Sequence, residues 1–393
     1  MHFEFATAGR IVFGPGVSAG LPAIAAGFGQ RALIVTGAHP GRFAALFTAL
    51  ESAGVGCVIF GVEKEPTIAL ARAGADLFRS SGCQFVIAIG GGSAIDAGKA
   101  IAAAAANPGD LTDYLEVIGK GRPLDRDPHP FIAFPTTAGT GSEVTRNAVL
   151  GSPAHGVKVS LRDSKMLPRV AVVDPQLTAG LPRAITASTG LDTLTQLIEP
   201  YVSSRANPVT DALCLDGMRA AASSLPRAFA GGHDSDAAEA RTGMSYASLL
   251  GGLALANAGL GVVHGFAAPV GGLFDAPHGA VCAALLAGGM RQNIAALRAR
   301  APQSQALLRY AEIAGILTSE ASATPEQGVD WVRDLVGRLE IPPLSAYGIR
   351  AEHIPDLVEK AARASSMKAN PILLTPDELT SVIKEALCQY LIA

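Results

Sequence analysis

A change of pattern near residue 180 divides this chain and limits its fold. Before it, short β-rich runs alternate with helical segments: RIVFG (10–14), ALIVT (32–36), GCVIFG (56–61), FVIAIG (85–90), FIAFP (131–135) and VAVVD (170–174). After Pro182 such runs stop, and long helical patterns are broken at Asn207-Pro208, Gly231-Gly232, Pro302, Pro342-Pro343 and Asn370-Pro371. Strand alternating with helix builds a largely parallel sheet covered by helices, whereas helical pattern alone builds a helical domain. The chain therefore reads as an α/β domain over residues 1–178 followed by an all-helical domain over residues 179–393. Its 393 residues exceed what one hydrophobic core usually fills, which supports two domains.

Ligands of open α/β sheets sit beyond the carboxyl ends of the strands, so the residues after each run are the ones to read. FVIAIG leads into Gly91-Gly92-Ser93 and then into the helical AIDAGKAIAAAAAN. Strand, glycine loop and helix in that order suit a pyrophosphate, because glycine admits close backbone approach and the helix start offers free amides. After FIAFP comes a run of hydroxyls and small residues, with Thr136, Thr137, Thr140 and Ser142 able to contact a cofactor's phosphates, ribose or amide. After ALIVT comes Gly37, where nucleotide-binding domains often carry an acidic residue for the adenine ribose. Without a carboxylate to repel a 2′-phosphate, NADP becomes possible beside NAD, with His39 or Arg42 as a source of positive charge.

The helical half holds two histidines, His264 and His278, in a long uncharged run. Gly265, Gly271, Gly272, Pro277 and Gly279 are expected to let the backbone bend around each ring. Upstream, TGLDTLTQLIEPYVS (189–203) reads as a helix that points Asp192 and Gln196, four positions apart, the same way. A carboxylate, two imidazoles and an amide can then meet at one point, and histidine is the commonest metal ligand. The alternative is a pair of core histidines bonded to backbone.

Other classes are excluded by composition. A net charge of −3, with no basic run, predicts no nucleic-acid partner. The five cysteines are scattered without a CxxC pair, which predicts neither a disulfide framework nor a thiolate metal site. No Asp, Glu, Lys or Arg occurs between Arg241 and Asp275, a length that imitates a membrane span. Asn257, His264, Pro269 and several glycines interrupt it, so it reads as a helix buried in a large helical domain, with no membrane partner. The N-terminus has no basic region followed by an apolar stretch, which makes the cytoplasm the expected location.

Taken together, GGGSAID (90–96), FPTTAGTGSEVT (134–145), DPQLTAGLP (174–182), TGLDTLTQLIEPY (189–201) and GVVHGFAAPVGGLFDAPHG (261–279) closely resemble the iron-containing, or group III, alcohol dehydrogenase family. The resemblance implies a dinucleotide-binding α/β domain, an all-helical domain, and a cleft holding NAD(P) and one divalent metal, Fe2+ or Zn2+. It implies interconversion of an alcohol and an aldehyde or ketone by hydride transfer, with the metal polarising the substrate oxygen, in a protein that is often a homodimer. Asp192, His264 and His278 fall on family metal ligands and would be the catalytic centre. A fourth ligand, histidine in the family, is Gln196 here, and a histidine linked there to proton movement is Ala268. Gly91, Gly92 and Ser93 match the phosphate contacts, Lys158 resembles the lysine that reaches the ribose, and Leu177 and Leu181 resemble walls near the nicotinamide. Competing readings are a maleylacetate reductase-type enzyme, with or without a metal, and a non-catalytic nucleotide-binding module.

Overall fold

The computed structural model describes residues 2–388 except 108 and 233. They form two compact units, residues 6–137 with 141–179, and residues 180–388 with 2–5 and 138–140.

The first unit is built on a six-stranded parallel sheet, with every β-rich run of the sequence in it. Its strands are β1 (Ile11–Phe13), β2 (Arg31–Thr36), β3 (Gly56–Gly61), β4 (Phe85–Gly90), β5 (Phe131–Pro135) and, after a hairpin, β8 (Val170–Val173), in the order β1-β8-β5-β4-β2-β3. Helices α1 (Leu21–Ala26), α2 (Ala44–Ser52), α3 (Ile68–Ser80) and α4 (Gly92–Ala106) lie between strands in the chain. Alternate strand residues feed two separate cores, as the pleat requires. Ile34, Ile87, Ile89, Ile132, Phe134 and Val172 pack with Leu21 of α1 and Leu50 of α2. Leu33, Val35, Val86, Ala88 and Ala133 pack with Phe78 of α3 and Ile95 and Ile101 of α4.

The strand order turns at β2, with β3 paired on one side and β4 on the other. In such sheets this is the point where a crevice opens at the carboxyl ends. Register places Thr36 opposite Ile89, and Gly90 opposite Pro135, so Gly37, Gly91 and Thr136 emerge at the same end of three neighbouring strands. A hairpin of β6 (Asn147–Ser152) and β7 (Val157–Arg162), absent from the sequence expectation as a paired unit, follows the hydroxyl loop. Its Ala148, Leu150, Val159 and Leu161 cover a third apolar cluster with Ala100 and Ala103 of α4.

The second unit is helical: α5 (Arg183–Val202), α6 (Pro208–Ala230), α7 (Ser235–Ala258), α8 (Val262–Leu273), α9 (His278–Arg300), α10 (Gln305–Thr318), α11 (Pro325–Arg338), α12 (Ile354–Arg363) and α13 (Pro376–Ala386). The sequence breaks act as caps. Asn207 forms a capping box with Thr210 ahead of Pro208, and Gly231 ends α6 at a φ of 77° that glycine adopts without Cβ strain. The uncharged run becomes α7 and α8, bent by 98° at a short break. By length and composition α9 would also cross a membrane, but 83% of its apolar window is buried within the protein, as in a core helix.

Candidate functional site

Three helices of the second unit bring distant residues to one place. Asp192, Gln196 and Glu199 recur at four and three positions along α5 and share a face. His264 lies in the first turn of α8, His278 opens α9, and Cys282 follows one turn later. The ligand-type atoms of Asp192, His264, His278 and Cys282 all lie within 4.8 Å of one another. Asp192 and Cys282 are fully buried and His264 nearly so, while the side chain of His278 is 37% exposed.

The glycines near the histidines do not work as the sequence reading supposed. Gly265, Gly271, Gly272 and Gly279 all lie within helices and none has a positive φ. What Gly279 provides is close approach, since a Cβ there would stand 2.5 Å from the carbonyl oxygen of Ser188. The start of α9 can therefore lie against α5, next to Asp192. Pro277 acts at the N-cap of α9.

Glu199 orients the first histidine. Nδ1 of His264 donates to Glu199 Oε2 at 2.7 Å, and the amide of Val263 donates to Oε1 at 2.7 Å. With Nδ1 tied to Glu199, Nε2 is the nitrogen turned toward Asp192 Oδ1, at 3.4 Å. Nε2 of His278 stands 3.7 Å from the same oxygen. Burial pushes the His278 imidazole down, but Cys282 and Asp192 more than offset it and hold it at about 9. For Asp192, burial pushes upward and is outweighed by the two imidazoles, leaving the carboxyl below its ordinary range. The cluster thus favours a negative oxygen with positive charge beside it.

Two buried oxygens in this region lack a hydrogen-bond partner, Asp192 Oδ1 and Gln196 Oε1. Orphaned buried acceptors are costly, and a bound cation is one arrangement that satisfies them. Carboxylate, imidazole and amide donors fit a divalent metal. Gln196 is on the expected face, one turn from Asp192, whereas Ala268 lies exposed on α8 with no group to move a proton.

In the α/β unit, no side chain caps the N-terminus of α4, where Gly91, Gly92 and Ser93 are half-exposed. The amide of Thr136 donates to the carbonyl of Gly90 at 2.9 Å, and Thr137 sits 3.4 Å from where a Cβ of Gly91 would be. Gly37 borders open space, with no atom within 4 Å of a Cβ built on it. Ser142 is already engaged: its hydroxyl donates to Asp96 and accepts from Lys99. Lys158, expected to reach a ribose, pairs with Glu65 at 2.6 Å. Leu177 packs against the sheet core, and Leu181 is half-buried in the other unit. Thr140 belongs to the segment grouped with the helices, whose Gly139 carbonyl accepts a hydrogen bond from Thr193 of α5 at 3.3 Å.

Glu199 and Cys282 were missed from sequence. Their signal was spacing, Glu199 seven residues after Asp192 and Cys282 four after His278, both repeats that return a residue to the same helix face. The expectation of no thiolate near a metal rested on cysteine pairs in sequence, and Cys282 joins the cluster from a fold neighbourhood that pairs do not report.

Known proteins point the same way. Residues 8–175 match the family model described as iron-containing alcohol dehydrogenase, and residues 186–387 match that for the C-terminal part of the Fe-containing alcohol dehydrogenase family. The 1,3-propanediol dehydrogenase of Citrobacter freundii is 36% identical, with 91% of this chain and 92% of that protein covered. Lactaldehyde reductase of Escherichia coli is 34% identical, covering 91% of this chain and 92% of the other. A solved 1,3-propanediol oxidoreductase structure superposes with a TM-score of 0.90 at 33% identity, over 98% of this chain and 100% of that one. Relatives that are dehydrogenases and reductases favour alcohol and aldehyde chemistry over the maleylacetate and non-catalytic readings. This chain is an enzyme of the iron-containing alcohol dehydrogenase family.

Proposed function

We propose that this enzyme interconverts a small alcohol and its aldehyde or ketone with NAD(P), using a divalent metal, Fe2+ or Zn2+, held by Asp192, His264 and His278, with the amide of Gln196 as a weaker fourth donor. The observation that carries the reading is the convergence of His264 and His278 on a buried Asp192 oxygen that has no hydrogen-bond partner. Such an ion, when bound, supplies polarisation of the substrate's carbonyl oxygen and stabilisation of the charge that develops on it. Glu199 fixes the tautomer and direction of His264.

The amides at Gly91, Gly92 and Ser93 bind the cofactor pyrophosphate at the start of α4, and the hydroxyls of Thr136, Thr137 and Thr140 bind further along the cofactor. Ser142 serves by fixing that loop through Asp96 and Lys99. Lys158 reaches the ribose only by leaving Glu65, and Leu177 is the wall that the α/β unit offers the nicotinamide. Protons pass through water or ribose hydroxyls, because Ala268 cannot carry them. A cytoplasmic location fits the five free cysteines, and a homodimer fits β1, an edge strand paired only with β8 among the described residues.

The test is hydride transfer from NADH and NADPH to a panel of small aldehydes, on stripped protein before and after anaerobic Fe2+ or Zn2+ is restored. Turnover is expected only after restoration, and equal turnover in the stripped protein would sink the metal role. For the cofactor, Gly37→Asp should weaken NADPH relative to NADH by at least about tenfold, roughly 1.4 kcal/mol, through repulsion of the 2′-phosphate. The open space at Gly37 accommodates the new side chain. An unchanged ratio of KM values would place the 2′ position elsewhere.

A further inference from the structure

We infer that Cys282 is a metal ligand, so that the centre is a carboxylate, two imidazoles and a thiolate, with sulfur taking the place that Gln196 leaves weak. This rests on the reading that Asp192, His264 and His278 hold a divalent ion.

The distances support it. Donors held about 2.0–2.3 Å from one ion at tetrahedral angles stand roughly 3.3–3.8 Å apart. Sγ of Cys282 lies 3.6 Å from His278 Nε2 and 3.8 Å from His264 Nε2. Those nitrogens lie 3.7 and 3.4 Å from Asp192 Oδ1. Four of the six edges between these donors thus have the lengths expected around one ion, and all four donor atoms lie within 4.8 Å of one another. The nitrogens facing the sulfur are the Nε2 atoms, and His264 has its other nitrogen tied to Glu199.

The orphaned oxygen of Asp192 is the second observation, since it calls for a cation at the place the sulfur borders. Cys282 itself is wholly buried, one turn inside α9, so the fold gives its thiol no solvent chemistry. Among the described residues no other cysteine joins the group.

The chemical consequence is selectivity. An amide oxygen in the fourth position favours hard ions, whereas a thiolate favours Zn2+ and other soft ions over those served by oxygen alone. Held by Asp192, His264, His278 and Cys282, the ion would still supply polarisation of the substrate oxygen. Binding releases the thiol proton to solvent, with no change of oxidation state.

The experiment is anaerobic Co2+ titration of the stripped full-length protein, followed by near-ultraviolet and visible absorption. Wild type is expected to show visible d–d bands together with an intense thiolate-to-cobalt charge-transfer band in the near ultraviolet. Cys282→Ser, nearly isosteric, should keep d–d bands and lose the charge-transfer band, while Gln196→Ala should keep both. In competition, the preference of wild type for Zn2+ over Fe2+ should fall by at least about tenfold in Cys282→Ser. Wild-type d–d bands with no charge-transfer band would overturn the thiolate ligand and leave the metal site standing. A charge-transfer band that survives Cys282→Ser would also overturn it, by assigning the sulfur elsewhere. If wild type binds no Co2+, Zn2+ or Fe2+, the metal centre and the thiolate fall together.

Discussion

Asp192→Ala and His264→Ala are each expected to lose bound metal and at least about 1,000-fold of turnover, because polarisation of the substrate oxygen contributes several kcal/mol and each 1.4 kcal/mol is roughly tenfold in rate. The effect should appear in kcat more than in KM, since charge on the oxygen develops in the transition state. His278→Ala is the companion variant. Its side chain is 37% exposed, so its replacement disturbs packing less than that of the two buried residues. Metal content by elemental analysis and turnover should fall together in all three, with the far-ultraviolet circular dichroism unchanged. A variant that keeps full turnover with no bound metal would remove the cluster from the mechanism.

Lys99→Met is expected to destabilise the α/β unit by about 3–5 kcal/mol, the cost of removing one partner from a buried charged network. The Lys99 ammonium is fully buried and donates to Ser142 Oγ at 2.9 Å, Thr145 Oγ1 at 2.9 Å and the carbonyl of Asn147 at 2.8 Å. These three acceptors use all three of its donors. Burial pulls its pKa down, opposed by Asp96, 3.5 Å away, and Glu143. Asp96 in turn accepts from Ser142 and from the amide of Val149 at 2.9 Å. One lysine of the helix after the glycine loop thus fastens the hydroxyl loop and the first strand of the hairpin. Methionine of similar length would leave the acceptors without a donor and Asp96 without its cation. Denaturant unfolding followed on the α/β unit should show the loss, and cofactor affinity should fall with it. A change under about 1 kcal/mol, the worth of one ordinary hydrogen bond, would mean that the network is not holding the loop.

The two variants probe different distances from the sequence. All six parallel strands were legible, because a sheet buried on both faces needs continuous β-rich runs and each run has turn residues after it. The fold class followed from their alternation and its end at Pro182. The glycine loop was legible for a similar reason: strand, loop and helix are consecutive, so their geometry is local. Asp192, His264 and His278 could be nominated by residue type. The hairpin was harder, although Ala148, Leu150 and Ser152 alternate with half-buried neighbours in the period of a strand covered on one face.

The sequence by itself therefore determined the strands, the helix boundaries marked by caps, the family, and the chemical types present, since each depends on neighbours along the chain. Only the tertiary structure decided that α5, α8 and α9 converge, that Cys282 and not Gln196 alone borders the Asp192 oxygen through two imidazoles, and that Glu199 holds His264. It also decided that Lys99, an unremarked residue of an alanine-rich helix, is a buried tie. Those facts rest largely on contacts between residues far apart in the chain, 43 positions for Lys99 with Ser142 and 65 for Glu199 with His264. Packing of side chains across helices fixes such contacts, and no local period along the chain records them.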